Sequence, residues 1–80
     1  MTDVLEKTTE LITELSKHGS VEQCQLENGV FTLLITGEDL NTTKTSGAIS
    51  RTVTAILGKG FTVRSSRIQS TFFFLTLKQN

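Results

Sequence analysis

One imidazole, His18, and one thiol, Cys24, are the side chains of this sequence best suited to nucleophilic or metal chemistry. Nucleophilic catalysis needs a nucleophile, a base and an orienting group within mutual reach. His18 falls at the end of a helical pattern, where a cation suits the helix dipole, and Cys24 falls on the apolar face of a strand. A buried free cysteine behaves as a small, inert hydrophobe, so the two do not read as a dyad. Glu6, Glu10 and Glu14 recur every four residues, the spacing of an ordinary solvated helix face. Gly58-Lys59-Gly60 lacks the Ser or Thr and the preceding strand of a phosphate-binding loop. Asn41-Thr42-Thr43 fits the glycosylation acceptor pattern without a secretory context. A single cysteine leaves no internal disulfide framework and no cysteine-based zinc site. The expectation is a protein that is not an enzyme and uses no metal and no cofactor.

Composition narrows the remaining classes. The 80 residues make one domain, 1–80, and a chain of this length buries only ~60% of its unfolded surface, which makes oligomerisation a natural source of stability. No apolar run approaches the ~20 residues of a membrane span, and MTDVLEK lacks the basic-then-apolar pattern of a signal peptide, so a cytoplasmic protein is expected. The net charge of zero conceals a division. All eight acids lie in residues 1–39 beside only Lys7 and Lys17, giving −6, while residues 40–80 carry six cations and no acid, giving +6. Neither half is a charged tail, since both show strong apolar periodicity. Two complementary halves, attracting each other within one fold or across a dimer, are favoured over a polyanion site.

The elements that position these residues follow from periodicity. Residues 3–18 read as an amphipathic helix with Val4, Leu5, Thr8, Leu11, Ile12 and Leu15 on one face. Asp3 and Glu6 resemble a capping box, Lys17 and His18 suit the C-terminal dipole, and Gly19 reads as a left-handed stop. Residues 20–27 and 30–36 flank Asn28-Gly29, a dipeptide suited to the positive φ angles of a type I′ turn. That turn sets Leu26 against Phe31, Cys24 against Leu33 and Glu22 against Ile35 on one sheet face, leaving Val21, Gln23, Gln25 and Glu27 on the other. Residues 37–45 read as a polar loop. A second helix is expected from about Ser46 to Leu57, with Ile49, Val53, Ile56 and Leu57 inward, followed by strands at 61–68 and 71–78.

The halves also read as repeats, units 3–36 and 45–78. Sliding the chain along itself until Leu15 meets Leu57 also aligns Lys17 with Lys59, Val21 with Val63, Phe31 with Phe73 and Leu33 with Leu75, five identical pairs. The fold class expected is α+β: a two-layer αββ-αββ domain, an internal duplication, with a four-stranded, mainly antiparallel sheet and both helices on one face. Glu22 and Arg64 take equivalent places, expected at the inward edge of the sheet, where either a cross-sheet ion pair or hydrogen-bonded contact with solvent would fit.

Phe72-Phe73-Phe74-Leu75 is apolar on both faces of its strand. An antiparallel sheet with one solvated face alternates apolar and polar residues more cleanly than this. The outer face is therefore expected to carry Val30, Leu34, Phe61, Val63, Phe72 and Phe74, with Val21 beside them, as the interface of a homodimer. The leading expectation is a small accessory or binding domain that self-associates through this face and presents its charged helices to another protein. Two alternatives use the same residues. A single-stranded nucleic acid would stack on Phe61, Phe72 and Phe74 and meet Lys44, Arg51, Lys59, Arg67 and Lys78 of the basic half. Lys59-Gly60-Phe61 resembles the first three positions of an RNA-recognition-motif signature, but Thr62 and Val63 depart from it and that fold starts with a strand. A small ligand would occupy a cavity between paired sheets.

Overall fold

A computed structural model describes residues 2–80, with side chains described from Glu6 onward. The Asp3–Glu6 capping box and the inward placement of Val4 and Leu5 lie outside the described residues. Helix α1 (Thr2–Leu15) leads into strands β1 (Ser20–Glu27) and β2 (Val30–Thr36). Helix α2 (Thr43–Leu57) and a short 3₁₀ turn (Gly58–Gly60) precede β3 (Phe61–Ile68) and β4 (Phe72–Gln79). The four strands form one antiparallel sheet in the order β1-β2-β4-β3. The domain is thus the expected α+β, αββ-αββ arrangement.

Why these residues form these elements is clear at their ends. Asn28 and Gly29 adopt φ of 53° and 77°, the left-handed pair of a two-residue type I′ hairpin. The second hairpin closes over Ser70-Thr71 without any positive φ. Its turn is held from outside, because Gly37 N–H donates to the Thr71 carbonyl and Leu40 N–H to the Ser70 carbonyl, each at 3.0 Å. Helix α2 starts at Thr43, ahead of the expected start at Ser46, because the Thr42 hydroxyl caps it by accepting from Thr45 N–H at 3.2 Å. Helix α1 ends at Leu15 in a tight turn through His18. Gly19 is not left-handed as expected; a Cβ there would stand 2.5 Å from the Thr36 carbonyl oxygen, so close backbone approach requires the glycine.

The core lies between the helices and the inner sheet face. Leu11 and Leu15 of α1, and Ile49, Val53 and Leu57 of α2, pack on Phe31, Leu33 and Ile35 of β2 and Phe73, Leu75 and Leu77 of β4. Leu40, expected in an open polar loop, is fully buried and closes this core. Ile12, expected inward, is 40% exposed. Ile56 is half-buried against the core.

Register explains the remaining departures. Leu26 pairs with Phe31 and Cys24 with Leu33, as the turn predicts, but a bulge between Val21 and Gln23 sets Val21 opposite Ile35. One extra residue reverses the alternation beyond it. Val21 therefore packs on the core, and Glu22 turns to the outer face, where it accepts hydrogen bonds from Ser20 and Thr36. The same irregularity recurs between Val63 and Ser65, where Val63 pairs with Leu77. With Val21 set on Val63, the second hairpin repeats the register of the first, bulge included. This equivalence concerns element order, register and bulges; with five identical pairs, it does not by itself establish a duplication.

Candidate functional site

The outer sheet face is built from the central strands outward. Strand β2 directs Val30, Thr32, Leu34 and Thr36 away from the helices, and β4 does the same with Phe72, Phe74, Thr76 and Lys78. Leu34 pairs with Phe74 and Thr36 with Phe72, so the aromatic and aliphatic groups gather toward one end of the strands. The opposite end carries Thr32 against Thr76 and Val30 against Lys78. Val30, Leu34, Phe72 and Phe74 are half-buried by their neighbours, and among the described residues no element lies over them. A hollow of about 640 Å³ runs beside Leu34, Phe72, Phe74 and Arg67.

Charge flanks this apolar strip on both sides. Edge strand β1 presents Glu22, Gln23, Gln25 and Glu27 and carries no cation. Edge strand β3 presents Ser65 and Arg67 and carries no acid. Arg64, at the second bulge, borders the same hollow as Val30 and Lys78, which places it on the outer side as well. The division seen along the sequence thus becomes an acidic rim and a basic rim. Glu22 and Arg64 lie on strands three spacings apart, about 14 Å. That separation, and the outward turn at each bulge, rule out the cross-sheet ion pair at an inward edge and leave the alternative of contact with solvent, on the outer face. The ion pair found among the described residues, Glu14–Lys17 at 3.1 Å, is exposed and lies within the acidic half.

Four of the six expected interface residues, Val30, Leu34, Phe72 and Phe74, share this face. The structure places the other two, Phe61 and Val63, on the helix side. The bulge at Arg64 reverses their alternation, and Phe61 meets Phe31 edge-to-face with ring centroids 6.2 Å apart. The cations named for a nucleic acid do not converge. Lys44 and Arg51 lie on α2 in the helix layer, Arg67 and Lys78 lie on the outer sheet face, and Lys59 sits in the 3₁₀ turn between α2 and β3. With Phe61 turned inward, two rings remain on that face, Phe72 and Phe74.

Sequence reasoning missed a second apolar surface. Val63 is 60% and Ile68 39% exposed on the helix side of β3, bordering a groove with Val53 and Thr54 of α2. Their counterparts in the first half, Val21 and Leu26, pack on the core, so the two halves are covered unequally. The alternation of 61–68 contained the signal, but the bulge concealed which face these residues occupy.

The chemical groups behave as their surroundings dictate. Cys24 is a free, half-buried thiol whose Sγ donates weakly to the Thr8 carbonyl at 3.9 Å. Burial pushes its pKa up to about 11, so it is a neutral thiol near pH 7. Among the described residues there is no group of three or more His, Cys, Asp or Glu side chains that could hold a metal ion. No helix among them is long and apolar enough to cross a membrane. Comparison with protein-family models, curated proteins and solved structures finds no match to this chain.

Proposed function

We propose that this protein is a small non-enzymatic binding or accessory domain that self-associates, sheet on sheet, through its outer face. The observation that carries this reading is the patch formed by Leu34, Phe72 and Phe74 on the two central strands, with Val30 farther along β2 and, among the described residues, no element over them. Central strands with apolar residues on both faces belong in a sandwich, and a second copy completes one at the ~10 Å spacing of packed sheets. Two-fold association brings the same patch from each copy into contact. The helix layers, one end acidic and the other basic, then face outward toward further protein partners. A cytoplasmic setting accords with the single unpaired cysteine.

Sedimentation equilibrium tests the reading. The wild-type chain is expected to be dimeric at low and at high salt. Phe74→Glu, which would bury an unpaired charge, is expected to weaken the dimer by about 30-fold or more, the effect of losing a ~2 kcal/mol hot spot. A wild-type monomer at all concentrations contradicts the proposal. A dimer unchanged by Phe74→Glu moves the interface away from this face, and Val63 and Ile68 become the next residues to substitute.

A further inference from the structure

The arrangement of the outer face points to one orientation of the two copies: we infer that the dimer axis runs parallel to the strands, setting the acidic rim β1 of each copy over the basic rim β3 of its partner. This inference rests on the sheet-face reading above and adds to it the geometry of the pairing.

Cys24, Leu33, Leu75 and Ser66 are successive cross-strand partners and form a row straight across the sheet. Measured from that row, Leu34, Phe74 and Phe72 lie toward the Thr36 end, together with Glu22 on β1 and Arg67 on β3. Toward the Val30 end lie Thr32, Thr76 and Lys78, together with Glu27 on β1 and Arg64 on β3. Apolar character therefore varies along the strands, whereas charge changes sign across them.

Two aligned face-to-face arrangements have two-fold symmetry. An axis parallel to the strands preserves position along them and exchanges the two edges. It sets Phe74 over the partner's Leu34 and Phe72 over the partner's Thr36. It also brings Arg67 to within about one residue step, ~3.4 Å along the strand, of the partner's Glu22, and Arg64 to within roughly twice that of the partner's Glu27. Each contact occurs twice. Across a ~10 Å gap, arginine and glutamate side chains reach one another.

An axis across the strands does the reverse. It keeps each edge over its own copy, so Glu22 lies between Gln25 and Glu27 of the partner subunit, and Arg67 meets the partner's Arg64. Placed through the Cys24–Ser66 row, it also sets Phe74 over the partner's Thr76 and Phe72 over the partner's Lys78. Like charges then oppose each other while the rings face polar groups. The axis parallel to the strands sets unlike rims together and stacks the apolar end of each sheet on that of the other, whereas the axis across them sets like rims together wherever it lies along the strands.

Charge exchange at exposed positions tests the orientation by sedimentation equilibrium. Glu22→Arg and Arg67→Glu are each expected to raise the dimer dissociation constant by about 10-fold at low salt, because each creates like charges facing across the interface. The double variant Glu22→Arg/Arg67→Glu restores opposite charges and is expected to return to within about threefold of wild type. In 1 M salt, where the screening length is ~3 Å, the single-variant penalties should largely vanish, which loss of folding would not do. Circular dichroism on each variant checks that the fold is kept. A wild-type dimer that Phe74→Glu disrupts, but whose single reversals are silent or whose double variant is additive, overturns the orientation and leaves the sheet-face reading standing. A wild-type monomer overturns both.

Discussion

Leu33 and Leu75 are direct cross-strand partners at the centre of the sheet, and they are also equivalent positions in the two halves of the chain. Both conditions hold together only if a two-fold relation passes between them. That relation exchanges β1 with β3 and β2 with β4, which the strand order β1-β2-β4-β3 allows. Backbone hydrogen bonds follow it. Gly37 N–H donates to the Thr71 carbonyl at 3.0 Å, and Gln79 N–H to the Gly29 carbonyl at 2.7 Å, the same contact from each side. Glu22 and Arg64 are exchanged as well, so a symmetric backbone carries opposite charges on its two rims.

The central pair should be energetically coupled. Leu33 is fully buried and Leu75 is 6% exposed. Either Leu→Ala substitution is expected to cost about 2–5 kcal/mol. A chain of this length has roughly 4–12 kcal/mol of stability at ~0.05–0.15 kcal/mol per residue, so each loss is a large fraction of it. Urea unfolding of the single and double variants at one protein concentration should show non-additivity of at least ~0.5 kcal/mol. Strict additivity would separate two residues that the register joins.

Two glycines should respond differently to alanine. At Gly29 a Cβ meets nothing within 4 Å, so the cost of Gly29→Ala comes only from its φ of 77° and should be about 1 kcal/mol. At Gly19 the added carbon would press on the Thr36 carbonyl oxygen and the Ile35 side chain, at 2.5 and 3.0 Å. Backbone has to move there, and Gly19→Ala is expected to cost about 2–3 kcal/mol. Thermal denaturation checks the order of the two, and a smaller effect at Gly19 would contradict the close approach.

Cys24 should make stability depend on pH in the alkaline range. Burial raises its pKa from 9.0 to about 11, so between these values the folded chain keeps a proton that the unfolded chain releases. The unfolded state then binds fewer protons, and stability falls as pH rises from about 9 to 11. Urea midpoints at pH 8 and pH 10.5 should differ more for wild type than for Cys24→Ala. Equal differences would show that the thiol is not shielded. At pH 8 the native thiol should also react with iodoacetamide far more slowly than the urea-unfolded one.

Much of this architecture can be read from local pattern. The helical spacing of Leu11 and Leu15, the Asn28-Gly29 turn, and the inward set Phe31, Leu33 and Ile35 depend on near neighbours in sequence. Setting the second half on the first carried the same reasoning to Phe73, Leu75 and Leu77, and left Phe72 and Phe74 on the outer face. Helix α2 began earlier than its apolar spacing suggested because the capping group, Thr42, is a polar residue in what reads as loop.

What the amino-acid order determined by itself was therefore the elements, the inner face of each central strand and the division of charge between halves. Tertiary structure decided the rest. The bulges at Glu22 and Arg64 reverse the outer ends of both edge strands, and nothing local distinguishes them from regular alternation, because a bulge arises from how one strand meets its partner. Leu40 is buried because the 37–40 segment folds back onto the second hairpin turn, a contact between segments far apart in sequence. The strand order converts a −6 half and a +6 half into opposite rims of one sheet, since charges separated along the chain acquire a direction in space only when β2 and β4 pair at the centre.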